Sequence, residues 1–146
     1  MIKTTYEEEL NRTGRFTYTC SGVSMLPLLR QHKDLFTIEK KQGRYEKFDV
    51  VLYKRPPKSY VLHRIVEVRE TDYVILGDNC LNKEHGIRDE DIIGVMTSFV
   101  RNGKEIPVSH KGYRMYAAVW YFFYPLRRFV MKCKLRCKRM LRKDRT

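Results

Sequence analysis

The stretch YVLHRIVEV, residues 60–68, is rich in β-branched and aromatic side chains, and how it is read decides the fold. It is a strand, with a histidine, His63, set in an apolar run. Pro56-Pro57 breaks the chain just before it and separates it from a similar run, FDVVLYK, residues 48–54. Further out lie FTYTC (16–20), DLFTIEK (34–40), DYVILGD (72–78) and DIIGVMTSFV (91–100), each ending in turn chemistry. Asn102-Gly103 predicts a hairpin between TSFVR and KEIPV. Six or seven short strands between residues 16 and 109, with no long helix among them, predict a mainly β, antiparallel barrel or folded sheet.

A chain of 146 residues with 42% hydrophobic content supports one compact domain with appendages. The net charge of +13 is unevenly spread. Residues 127–146 hold ten Lys or Arg against one acid, Asp144, so the tail carries +9; residues 1–126 hold 20 basic against 16 acidic groups, or +4. The body therefore has the charge of an ordinary domain, and the basic character belongs to the tail. The four cysteines, Cys20, Cys80, Cys133 and Cys137, form no CxxC pair and have no zinc-type His spacing, so no metal or other cofactor is expected.

The opening residues MIKTTYEEELNRTGRF carry charge where a secretory leader would need an apolar region. Within them, residues 4–10 (TTYEEEL) read as one or two helical turns opened by a Thr cap. Residues 110–146 read as an aromatic and basic tail. MYAAVWYFFYPL, residues 115–126, is apolar but shorter than the roughly 20 residues needed to cross a bilayer. From Leu126 the apolar positions 126, 129, 130, 133, 137, 140 and 141 mark one face of a basic amphipathic helix. With Trp120 and Tyr113, Tyr116, Tyr121 and Tyr124 ahead of it, such a helix suits an anionic membrane surface. Peripheral membrane association is the expected location, with a cytoplasmic one as the alternative.

The chemistry centres on CSGVSMLPLL, residues 20–29. Ser24 falls at the end of a predicted strand, and Pro27 makes the chain leave sharply. A serine becomes a nucleophile only with a base in hydrogen-bond reach, and without one this segment is an ordinary turn. His63 can be that base, or a satisfied structural histidine. In order, G-x-S-M-x-P, D-V-V, H-R-I-V, G-D-N and I-I-G-V resemble the boxes of type I signal peptidases and the related self-cleaving SOS-repressor peptidase domain.

The resemblance runs from about residue 20 to about residue 100 and implies an antiparallel β fold, with Ser24 as nucleophile and His63 as base. It places the chain nearest the His branch, which includes endoplasmic-reticulum and archaeal members, and implies a serine endopeptidase that cleaves a peptide or leader segment. A histidine with a pKa near about 6.5 can accept the serine proton at neutral pH, provided an acid orients it. His-type relatives carry an Asp shortly after Gly-Asp-Asn; here GDNCLNKEHGI offers Glu84, with Asp78 as the alternative. Lys58 is the far less favoured Lys-type base, since a solvated lysine is charged and cannot accept a proton.

The backbone N–H of Ser24 is expected to contribute to an oxyanion hole. Many bacterial members add a Ser hydroxyl two residues before the nucleophile; Gly22 stands there, with Ser21 one place further back. Val23, Met25 and Leu26 are expected either to line the substrate cleft or to join the core. No membrane anchor or DNA-binding domain precedes the Ser24 box, which points to a small peptidase that trims a leader from a small ribosomally made peptide. The competing expectation is an inactive relative whose tail binds anionic membrane or nucleic acid, nucleic acid being the less favoured partner.

Overall fold

The computed structural model of the protein describes residues 5–143. Thr4, Asp144, Arg145 and Thr146 lie outside the described residues. Helix α1, Tyr6–Thr13, is capped by Thr5: its side chain accepts from the Glu8 N–H, and Glu8 reaches back to the Thr5 N–H. It ends at Gly14, whose φ of 77° is the left-handed conformation that a helix C-terminus favours in glycine.

Eight strands follow among the described residues: β1 (Arg15–Thr19), β2 (Leu35–Glu39), β3 (Val50–Arg55), β4 (Ser59–Val68), β5 (Tyr73–Leu76), β6 (Glu84–Ile87), β7 (Ile92–Arg101) and β8 (Lys104–Pro107). They form one antiparallel sheet in the order β1-β2-β7-β3-β4-β5-β6, with β8 paired to β7. The mainly antiparallel β expectation therefore holds at the level of architecture. The sequence reading missed β6, because EHGI carries two polar residues and a glycine at φ 77° in place of a β-branched run.

Both faces of the sheet's centre are buried, one of them partly under Leu10 of α1, the loop residues Met25, Leu28 and Leu29, and Tyr113. Alternate residues of β3 enter different clusters: Val50 and Leu52 pack with Leu10, Met25, Leu29 and Phe99, while Val51 and Tyr53 pack with Ile65, Tyr73, Ile75 and Val95. β4 pairs with β3 along Ser59–Arg64, but β5 covers it only from Arg64 onward. The first half of β4 is thus an open edge on that side.

The tail is not one unit. α2, Lys111–Phe122, is a helix docked on the body, with Tyr113 and Ala117 buried. After a single residue, Phe123, α3 runs from Tyr124 to Lys143, with Pro125 in its first turn, where a missing N–H costs nothing. Of α3 only Tyr124 is buried. The boundary placed at residue 110 therefore moves: α2 belongs to the body, and the projecting tail begins within α3. No helix among the described residues is long and apolar enough to cross a membrane.

Candidate active site

Ser24 sits in the loop between β1 and β2. That loop is closed by backbone bonds from Cys20 N–H to Asp34 O (3.0 Å) and from His32 N–H to Cys20 O (2.8 Å). Buried Asp34 anchors it, accepting from Arg30 through Nη2 at 2.7 Å and from the Arg30 backbone N–H at 2.8 Å. Burial alone would push the Asp34 carboxyl up, but the Arg30 bonds and the charge of Arg101 outweigh it and hold the carboxyl low. Gly22, at φ 91°, supplies the turn before Ser24. A serine at that position would be strained, a physical reason for its absence.

His63 lies on β4, 4% exposed, opposite Val51 on β3. Its Nδ1 stands 3.4 Å from Glu84 Oε1 and 3.3 Å from the Tyr53 hydroxyl. Burial lowers the His63 pKa below its ordinary value; the negative charge of Glu84 opposes that shift, and Arg55 adds to it. The ring is therefore neutral at neutral pH. Glu84, at the start of β6, is itself held by a two-point contact with Arg55, whose Nε donates to Oε2 at 3.2 Å while Nη2 meets Oε1.

The loop after β5 presses these parts together. Asn79 donates its backbone N–H to Ser24 O (2.8 Å) and its side-chain amide to Val23 O (3.1 Å). A Cβ on Gly77 would lie 2.8 Å from both His63 Nε2 and Ser24 O, and 2.5 Å from Cys80 Sγ. Only glycine fits there, and both candidate residues converge on that one point. Ser24, His63 and Glu84 line a shared cleft of about 390 Å³, with Cys20, Ser21 and Cys80 among its other walls.

Ser24 and His63 face one cleft, but no hydrogen bond joins them among the described residues; the recorded approach to His63 Nε2 is Cys80 Sγ, at 3.9 Å. Burial, then Glu84, push the Cys80 thiol pKa up, so the thiol is neutral there. The Ser24 N–H donates to no other group among the described residues.

Asp78, the alternative orienting acid, is corrected by the geometry. Its oxygens accept from Arg64 Nε and Nη2, both at 2.8 Å, and from the Tyr116 hydroxyl at 2.8 Å. Arg64 follows His63 on the strand, so it points to the opposite face and takes Asp78 with it. The expected apolar walls also need correction. Met25 does line the cleft, although it is 2% exposed, whereas Val23, 51% exposed, and Leu26 are not among its walls. Lys58 is exposed in the β3–β4 turn and lines no part of the cleft.

Tyr53, Arg55, Asn79 and Cys80 were not singled out from sequence as site residues. Strand register accounts for two of them: Val51 pairs with His63, so alternation along β3 puts Tyr53 and Arg55 on the His63 face, a pairing the sequence alone does not display. The described residues contain no cluster of three or more His, Cys, Asp or Glu side chains able to hold a metal ion. No protein-family model matches this chain, and no curated protein matches it at a significant level.

Proposed function

We propose that the protein is a serine endopeptidase of signal-peptidase type, with Ser24 as nucleophile, His63 as general base and Glu84 as the group that orients His63. The observation that carries this reading is the convergence of three side chains, from the β1–β2 loop, β4 and β6, on one cleft. With Glu84 on Nδ1, the histidine proton sits on Nδ1 and Nε2 is free to accept the Ser24 proton. The unbonded Ser24 N–H is available to the oxyanion of a tetrahedral intermediate.

The substrate is a polypeptide bound extended. Tyr60, Val61 and Leu62 line the cleft on the open half-edge of β4, and Tyr18 and Thr19 line it from β1, an edge strand. An added strand there would satisfy its own backbone groups. Tyr6 closes one end, stacked on Phe16 with a centroid distance of 5.3 Å and packed edge-on to Tyr60 at 5.0 Å.

The body works at a membrane surface. Met115 (68% exposed), Phe122 (76%) and, on α3, Leu126 (59%) and Met140 (67%) offer apolar anchors among cations, the composition an anionic interface accepts. A fluorophosphonate probe tests the catalytic part: labelling of the wild type, and none of Ser24→Ala or His63→Ala, is expected. Equal labelling of all three proteins would overturn the assignment, and no labelling of the wild type would leave the inactive, tail-binding relative, a reading favoured by the missing Ser24–His63 hydrogen bond.

A further inference from the structure

Between the loop ahead of β6 and the elbow joining α2 to α3 lies a hollow of about 490 Å³ that the peptidase reading does not use. Three cations line it, Lys83, Arg128 and Lys132, and no acid does. Lys83 is held at its wall: Nζ donates to the Tyr121 hydroxyl at 2.8 Å and lies 5.2 and 5.4 Å from the ring centroids of Tyr121 and Tyr124, which stack on each other at 6.0 Å. No ion pair joins it to a carboxylate among the described residues, although Glu67 is near enough for its carboxyl to be lowered by Arg69 first and by Lys83 in part. Neighbouring Glu84 is bound to Arg55, and Glu67 to Arg69 at 2.8 Å.

Two further lining residues, Phe122 and Phe129, are 76% and 65% exposed. One held cation, Lys83, and two exposed ones, Arg128 and Lys132, beside bare aromatic rings match a ligand that carries an anionic group next to hydrocarbon. Residues 111–143 reinforce that field, with eleven Lys or Arg and no acid. Nucleic acid would answer the charge but would leave Phe122, Leu126 and Phe129 in water.

We infer that this hollow binds the phosphate of an anionic phospholipid headgroup, held by Lys83, Arg128 and Lys132, while Phe122 and Phe129 enter the acyl boundary. The inference deepens the interfacial reading of the tail and rests on it. Its particular content is Lys83, which lies outside both helices. A diffuse attraction through α3 would not need Lys83, whereas a built headgroup site does.

The test is flotation of the full chain with phosphatidylcholine vesicles, with and without phosphatidylglycerol. Lys83→Gln is compared with Lys138→Gln, an equal loss of charge far along α3, and thermal melts verify that each variant is folded. Lys83→Gln is expected to weaken binding to the phosphatidylglycerol vesicles by on the order of tenfold, and Lys138→Gln by a few-fold at most. Equal losses would overturn the headgroup site and leave a diffuse tail interaction standing. A wild type that ignores both vesicle types, or that binds an RNA oligonucleotide at physiological salt instead, would overturn the interfacial reading together with it.

Discussion

His63 and Arg64 are neighbours on β4, both almost fully buried, and they face different environments. On the Arg64 side the central charge pair is closely held, although Arg127 at its rim keeps a buried Nε without a hydrogen-bond partner among the described residues. The guanidinium forks onto Asp78 and also donates to Phe48 O and the Tyr113 hydroxyl, each at 3.1 Å. Asp78 in turn carries Tyr116 on its carboxylate, and its backbone carbonyl accepts from Trp120 Nε1 at 2.9 Å and Arg127 at 3.0 Å. On the His63 side, Glu84 is divided between Arg55 and the imidazole, and Nε2 opens onto the cleft. A saturated polar network makes one arrangement rigid, and a partly filled one leaves a group free to react. The Arg64 pair has the character of a structural lock, and the proposed function puts its chemistry on the His63 side; both border the loop that runs from Gly77 to Cys80.

The contrast can be broken from either side. The largest effect is expected from Glu84→Gln, which keeps the size of the side chain but removes its charge and puts an amide donor where a carboxylate oxygen stood, so that the other histidine tautomer can be held. Peptide cleavage should fall by up to about 10⁴-fold, while the melting temperature stays near that of wild type. A stability loss matching the activity loss would mean that Glu84 is structural and that the contrast is misdrawn.

Asp78→Ala should act the other way. It strands a buried guanidinium, so stability measured by denaturant unfolding should drop by about 3–5 kcal/mol. Replacing both partners, as in Arg64→Met with Asp78→Leu, should recover much of that loss. A stable, folded Asp78→Ala protein would show that the network is not what holds the loop.

The smallest effect is in pH. Because burial lowers the His63 pKa below 6.5, the base stays neutral through neutrality, and kcat/KM should be flat down to that point. Below the folded-state pKa it should fall by about tenfold per pH unit. The same shift has a stability consequence with a definite sign: a histidine that resists protonation when folded contributes stability that is complete above about 6.5 and is lost as pH falls through its folded pKa. An acid limb starting above 6.5 would place the titrating group elsewhere.

The strands were legible because alternating Val, Ile, Tyr and Phe runs require a half-buried sheet, and the turns between them are written in Pro-Pro and Asn-Gly. β6 was not, since a polar edge strand forms only where β5 offers it a partner. Helix α2 was read as part of a tail because its aromatic residues suit an interface as well as a core. The spacing of Tyr113, Ala117, Tyr121 and Tyr124 was the available sign of a docked face. What it docks on, the Arg64–Asp78 pair, could not be seen along the chain.

The order of residues alone dictates the β patterning, the turn at which Ser24 stands half-buried, the histidine within an apolar strand and the concentration of surplus charge at the end of the chain. Those are local properties, set by side-chain periodicity and turn chemistry within a few residues. That Glu84 meets His63 while Asp78 meets Arg64, and that α2 packs on the body, follows from contacts between segments far apart in the chain. Both carboxylates are chemically able to serve a histidine. Which one does depends on which face of β4 each side chain reaches, and strand pairing between distant segments sets that.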